Sequence, residues 1–385
     1  MSFKRGFFFS IIAMFCTALA FIAGYYAHAV QNPGLEDFPI LNQAHQILLD
    51  HALNDPPANP GLEYGMIRGM LQAYDDPYTI FVEAVQHELE TNSLEGKFGG
   101  IGVQLNRDQD GNVILFPFPD SPAIRAGIRE GDQLLEVEDL KISADVSTES
   151  IQAAIRGPEG DSVRLLIAHP PDSTPVELGI VRKSIPLPSV TWHLDPDNLQ
   201  LGVIQVNAIA ASTPNEITEA VNDLQTRGGT HFVLDLRDNG GGLLSTGVDT
   251  ARLFLREGVI IQQQYRNRGV ETYRVENPGP FAEVPLAILV NHSTASAAEI
   301  IAGALQSHQR AVLVGSPTFG KDTVQLVFDL EDGSSLHVTA GHWWIPELPV
   351  SELENGLQPD VILPAEEDNP NAALAAASEI LFDGQ

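Results

Sequence analysis

Four successive rhythms of apolar and polar residues run along this chain. Residues 7–24 are almost wholly apolar and follow Lys4 and Arg5. Beyond Asn32-Pro33-Gly34, positions such as Leu41, Ala44 and Leu48 recur at helical spacing, predicting a helix from about Phe38 to Leu53 that Asp55-Pro56-Pro57 stops. A second helix is expected from Leu62 to Ala73, ending before Asp75-Asp76-Pro77. From Phe98 to about Pro186 the pattern shortens to alternating strands with glycine turns, and Val113-Ile114-Leu115-Phe116 after Asp110-Gly111 is a hairpin signal. From Leu201 onward it becomes α/β. The runs from Phe232 to Leu236, Leu286 to Val290 and Ala311 to Gly315 fit strands buried on both faces beneath helices. Ser212-Thr213-Pro214 predicts a helix start, with a hydroxyl at the cap and proline in the first turn. The stretch from Ala365 to Gln385 reads as an acidic linker followed by a short Ala-rich helix.

The first apolar run, closed by Ala27-His28-Ala29, fits a cleaved export signal and a retained membrane anchor equally well. Either leaves Lys4 and Arg5 inside and exports the rest, to the periplasm or another extracytoplasmic space, with residues 7–29 as the contact with the membrane. The single Cys16 lies in that segment, which excludes a disulfide framework and any zinc site built from several thiolates. Against 51 Asp+Glu stand 21 Lys+Arg, a formal net charge of -30 that repels phosphate backbones and argues against nucleic-acid binding.

No spacing in the chain points to a metal, a nucleotide or an organic cofactor. His292 lies near Ser296, but nothing fixes its direction. The segment from Asn291 to Ile301 follows an expected buried strand and opens a helix. Ser296 and Glu299 fit a capping box, which accounts for both residues without chemistry. The same position suits a nucleophile, because helix-terminal amides stabilise an oxyanion and Ala295, Ala297 and Ala298 leave room for a peptide. Downstream, Gly320-Lys321-Asp322-Thr323-Val324-Gln325 enters a strand with Lys321, Thr323 and Gln325 on one face. Lys321 reads as a snorkelling surface residue or, once desolvated, as a neutral base for Ser296 with Gln325 orienting its amine. The turn Asn239-Gly240-Gly241-Gly242 after the run ending at Leu236 either simply reverses the chain or offers amides to an oxyanion, while Asp235 and Arg237 fix the strand end.

The stretch from Asp120 to Leu135, with Ala126-Gly127 and Gly131-Asp132-Gln133-Leu134, resembles a PDZ domain. That resemblance makes Gly99-Gly100-Ile101-Gly102-Val103 the loop whose amides receive a terminal carboxylate. Gly100, Ile101, Gly102 and Val103 are then expected to bind substrate, with Ile101 and Val103 lining an apolar pocket. Glu138-Asp139 stands where that family usually has Asn-Gly. Taken in order, Asp76-Pro77-Tyr78-Thr79, the PDZ stretch, the Asp235 to Gly242 turn, the Ser293 to Glu299 segment, Thr318 to Gln325 and Asn355 to Val361 resemble the tail-specific, or C-terminal processing, serine proteases.

The resemblance implies that Ser296 is the nucleophile, Lys321 its general base and Gln325 the support of the lysine. It implies Ala297, Gly241 and Gly242 as oxyanion donors, no metal and no cofactor. Protein substrates with apolar or disordered C-termini are expected; a homo-oligomer or a regulatory adaptor is left open. Ala298 replaces a frequent second serine, Asn207-Ala208-Ile209-Ala210 an expected aromatic, and the stretch from His342 to Glu347 the usual Tyr-Thr-Pro-containing one. The expected architecture is α/β and multidomain. It comprises residues 1–30 as signal or anchor, 31–95 helical, 96–186 an inserted β-rich PDZ, 187–364 a catalytic core with a mixed sheet covered by helices, and 365–385 a tail. A PDZ-bearing adaptor or chaperone, and an acyl-transfer or hydratase-like enzyme, are the competing readings.

Overall fold

The computed structural model describes residues 38–55, 57, 60–108, 111–143, 145–170, 172–349, 355–363 and 370–383. The expected signal or anchor over residues 7–29 with Cys16, the Asn32-Pro33-Gly34 break, Asn59, Asp110 and the acidic linker 364–369 lie outside them. No helix among the described residues is long and apolar enough to cross a membrane.

Two compact units divide at residue 75. The first holds the two expected helices, α1 (Pro39–His51) and α2 (Gly61–Tyr74). Proline in its first turn suits the start of α1, and α2 ends at Asp75 in the left-handed region.

The second unit contains everything else. After β1 (Ile80–Val82) and α3 (Ala84–Glu95) comes the β-rich region. Its elements are β2 (Lys97–Gly100), β3 (Val103–Arg107), β4 (Val113–Pro117), α4 (Pro122–Ala126), β5 (Asp132–Val137), β6 (Leu140–Lys141), α5 (Thr148–Ile155), β7 (Ser162–His169), β8 (Asp172–Val181) and β9 (Lys183–Pro186). The strands form an antiparallel sheet in the order β3-β4-β5-β7-β8, with β6 on β5, while β2 pairs with β9. Leu115, Leu134, Leu165 and Ile167 meet Ile151 of α5 in its fully buried core. Ser121 caps α4 by accepting from Ile124 N–H at 3.2 Å, and Gly127 ends it at φ +101°.

The α/β core is a six-stranded mixed sheet ordered β10-β11-β12-β15-β16-β19. These strands are β10 (Val190–Leu194), β11 (Leu201–Val206), β12 (His231–Asp235), β15 (Leu286–Val290), β16 (Val312–Gly315) and β19 (Val361–Ile362). All pair in parallel except β10. The continuous apolar runs follow from its two covers. Phe232, Leu234, Ile288 and Val290 face α6 (Thr213–Thr226), α7 (Leu244–Arg252) and α8 (Ala297–Ser307); Val233, Ala287 and Leu289 face α9 (Pro370–Asp383).

A second, wholly antiparallel sheet was not legible in the sequence. It runs β1-β18-β13-β14 and carries β17 on β18, with β13 (Val259–Tyr265), β14 (Val270–Arg274), β17 (Thr323–Asp329) and β18 (Ser335–Trp344). The start of α6 also corrects an expectation. Ser212 adopts helical angles (φ −80°, ψ −18°) instead of an extended cap conformation, so its buried hydroxyl has no hydrogen-bond partner among the described residues. Thr213 Oγ1 does the local work instead, accepting from Ala210 N–H at 2.9 Å and donating to Ala208 O at 3.2 Å.

Replacing the fully buried Ile288 on the central strand β15 by alanine is expected to lower stability by about 2–5 kcal/mol. Urea unfolding checks this as a lower midpoint at unchanged slope.

Candidate active site

Strands β12, β15 and β16 lie side by side and parallel, so the loops at their carboxyl ends emerge together. The first loop leaves β12 through a fork between Arg237 and Asp235, with Nε–Oδ1 at 2.8 Å and a second contact at 2.6 Å. Asn239, fully buried, then ties three segments together. Its Nδ2 donates to Val206 O at 2.7 Å, its Oδ1 accepts from Gly241 N–H at 2.9 Å, and its carbonyl accepts from Ala295 N–H at 2.9 Å. Gly241 must be glycine. At φ +99° a Cβ there would sit 2.9 Å from Ser296 Cβ and 2.7 Å from Ala295 O.

The second loop follows β15. Thr294 Oγ1 donates to Leu236 O at 2.9 Å and the Thr294 carbonyl accepts from Phe319 N–H at 3.0 Å, so it touches both neighbouring loops. Ser296 sits at its apex with φ 55° and ψ −120°, a conformation that strains a non-glycine residue, and α8 starts at the next residue. Ala297 is the first residue of α8, so its N–H has no acceptor within the helix.

Glu299 joins the second loop to the third. Its carboxylate is 1% exposed and accepts four bonds: Ser296 N–H at 2.8 Å, Lys321 N–H at 3.0 Å, Gly320 N–H at 2.7 Å and Thr318 Oγ1–H at 2.6 Å. Thr318 Oγ1 in turn accepts from Leu357 N–H at 2.7 Å, which brings the Asn355-Gly356-Leu357 segment into the site.

Lys321 is half-buried. Desolvation pushes its amine below the ordinary lysine range, and the Glu299 charge opposes that shift without cancelling it. Its Nζ lies 5.1 Å from the centroid of the Tyr78 ring. Asp76 fixes that ring's backbone, accepting from Tyr78 N–H at 3.0 Å and Thr79 Oγ1–H at 2.6 Å. Burial alone would raise the Asp76 carboxyl, yet hydrogen bonds from Thr79, Tyr78 and Thr339 hold it below its usual range. Gln325 does not hydrogen-bond the lysine; its Nε2 donates to Thr323 Oγ1 at 3.0 Å and is 3.5 Å from Thr339 Oγ1.

Ser296, Lys321, Gln325, Gly241 and Gly242 line one cleft of about 470 Å³, together with Glu90 and Leu94 of α3, His337 and Trp343. Burial lowers the His337 imidazole, with Glu90 opposing and His87 and Lys321 reinforcing that shift. His292 is exposed and does not line the cleft. Ile101, Gly102 and Val103 line a separate and narrow groove of about 50 Å³ against Gln152, Ile155 and Arg156 of the β-rich region. Gly100 lies outside that lining, paired with Lys183 across β2 and β9. Sequence reasoning placed Asn239 and Tyr78 within motifs without giving either a role, did not single out His337, and gave Glu299 only a capping role.

Glu299→Gln retains one acceptor oxygen but turns an N–H₂ toward two of the four donors. It is expected to cost about 1–3 kcal/mol of stability, measured by chemical denaturation against wild type.

A Peptidase family S41 model matches residues 200–363, and a PDZ domain model matches residues 118–169. The carboxyl-terminal-processing protease of Picosynechococcus sp. is 36% identical over 307 residues, which are 79% of this chain and 73% of the relative. The carboxy-terminal processing protease CtpA of Bacillus subtilis is 33% identical over 337 residues, 87% of this chain and 70% of the relative. A solved photosystem II D1 C-terminal processing protease is 28% identical and overlaps 88% of this chain and 90% of its own, with a TM-score of 0.48. Breadth and identity of the match to the curated relatives make this chain a member of the carboxyl-terminal-processing proteases of peptidase family S41, a serine-type peptidase that carries a PDZ domain.

Proposed function

We propose that this peptidase is exported, engages the C-terminal tails of protein substrates through its PDZ groove, and cleaves them with a Ser296–Lys321 dyad. One observation carries the reading. A strained serine at a helix N-terminus shares its cleft with a half-buried lysine whose amine is shifted toward its neutral form. Neutral Lys321 takes the Ser296 hydroxyl proton as the oxygen attacks the scissile carbonyl. The Ala297 and Gly242 amides receive the oxyanion, while Gly241, whose own N–H is committed to Asn239, supplies the clearance beside Ser296. Lysinium returns its proton to the leaving amine, and water then releases the acyl group from Ser296. Gln325 acts at one remove, fixing Thr323 and the strand that Lys321 enters. Lys4 and Arg5 before the apolar run support export, and the groove between β3 and α5 supports tail capture.

Wild type, Ser296→Ala and Lys321→Ala, each incubated with an unfolded protein ending in an apolar tail, test the dyad by mass spectrometry of the products. Both variants are expected to lose about 10³-fold or more in kcat/KM; cleavage retained by Ser296→Ala refutes the assignment.

The pH profile follows from the direction of the lysine shift. The base works only when neutral, so kcat/KM falls as pH drops through the Lys321 pKa, and the plateau is reached below the ordinary lysine range. Glu299→Gln removes the charge that raises this pKa, so its acid limb moves to lower pH even though its maximal rate falls. A limb that stays in place, or moves to higher pH, assigns the titration to another group.

A further inference from the structure

One charged side chain in the cleft has no part in the dyad chemistry. α3 turns Glu90, Ser93 and Leu94 toward the cleft, three and four positions apart and therefore on a single helix face. Among the described residues that line the cleft, Glu90 carries the one carboxylate. Its Oε1 accepts from Gln86 Nε2 at 2.9 Å, one turn earlier on the same helix. Its Oε2 accepts no hydrogen bond among the described residues; the nearest donor, His337 Nε2, is 3.9 Å away. The side chain is 37% exposed, so this open acceptor meets whatever enters the cleft.

The basic groups nearby leave that charge uncompensated. His337 Nε2 sits 3.1 Å from Ser335 Oγ, and burial keeps the imidazole below its ordinary range although Glu90 opposes the shift. Lys321 forms no ion pair with Glu90 within 4 Å, and its amine is shifted toward neutrality. Apolar wall adjoins the acceptor on two sides. Leu94 lies one turn further along α3, and Val327 of β17 pairs across the sheet with His337. An open carboxylate oxygen at the end of an apolar wall suits a long cationic side chain, which buries its methylene stem and keeps its head among polar groups.

We propose that Glu90 is a specificity-determining residue that receives a lysine or arginine side chain of the substrate at one position near the scissile bond, an inference that rests on the proteolytic reading and narrows its substrate class. The stem lies along Leu94 and Val327, and the head donates to Oε2 of Glu90. An uncharged polar residue at that position gains at most a hydrogen bond, and an acidic one meets like charge inside a confined cleft. The formal charge of -30 on the whole chain favours cations as well, but that attraction does not depend on where along the peptide the cation stands. Dependence on position is thus the signature of Glu90.

Decapeptides that share one cleaved apolar sequence, with Lys, Gln or Glu placed in turn at each residue flanking the scissile bond, test the proposal on the full chain. At one position Lys is expected to raise kcat/KM about fivefold over Gln, and Glu to lower it about fivefold, the scale of a partly exposed ion pair. Equal effects at every position reflect the overall charge alone and overturn the proposal. The Lys-to-Gln ratio is read within each enzyme, so a general loss of activity or stability in a variant cancels. Glu90→Gln is expected to abolish the preference and Glu90→Lys to invert it; a preference that survives Glu90→Gln overturns the assignment. A second readout needs no turnover. The Lys peptide, mixed with the Ser296→Ala chain and a zero-length carbodiimide that takes up the water released, is expected to form an amide between its ε-amine and the Glu90 carboxylate, mapped by mass spectrometry. Crosslinks confined to other carboxylates refute the contact. Failure of the proteolytic reading, seen as no cleavage of any peptide by wild type, therefore remains separate from failure of this one.

Discussion

A single buried carboxylate holds this site together. Glu299 accepts two bonds on each oxygen, from the backbone of Ser296, of Gly320 and of Lys321 and from the hydroxyl of Thr318. Each donor lies on a loop or helix terminus whose own peptide groups would otherwise be unpaired in a dry interior, where a missing partner costs about 1–3 kcal/mol. The backbone positions of Ser296 and Lys321 relative to each other are therefore set through one shared carboxylate.

That carboxylate has its leverage because of the sheet beneath it. β12, β15 and β16 are adjacent and parallel, so the glycine turn, the serine loop and the lysine loop leave the same edge next to one another. Helices on both faces keep the strands dry and their order fixed. Asn239 links the first loop to the second much as Glu299 links the second to the third, through bonds to Gly241 and Ala295. Gly241 completes the link by leaving no atom where a side chain would displace Ser296.

The buried strands were legible because burial on both faces demands unbroken apolar runs, which few other structures produce. Helix starts were legible where proline or a hydroxyl stood just before a periodic run, as ahead of α6 and at Ser296 before α8. Ser212 misled because cap chemistry depends on backbone angles that composition does not encode. The second sheet stayed hidden because its strands are short or exposed on one face, and its long-range pairs, such as Ile80 with His337, connect segments far apart in sequence. Within the site, Ser296, Lys321 and Gln325 stood out by order and spacing along the chain. Tyr78 stood out only as part of the Asp76-Pro77-Tyr78-Thr79 motif, since a ring over a lysine 243 positions away leaves no local pattern of that contact. The strain at Ser296 was equally silent, because a small residue between alanines suits an ordinary cap as well as a tight apex.

One tension remains inside the clamp, and its resolution bears on the chemistry. A carboxylate near a lysine ordinarily draws it into an ion pair and fixes it as ammonium, which cannot serve as a base. Here the four acceptor positions of Glu299 are already filled by other donors, and among the described residues Lys321 forms no ion pair within 4 Å. The carboxylate still contributes charge, but it offers the ammonium no direct bond. Desolvation thus remains the larger influence, and the amine is left shifted toward neutrality. In the proposed dyad, a Lys321 that has accepted the serine proton would be favoured as lysinium by the same nearby charge and by the face of Tyr78, at the step where that helps the reaction forward. Saturating one carboxylate with hydrogen bonds from neighbouring loops therefore lets it hold the Lys321 backbone in place without pairing with its amine.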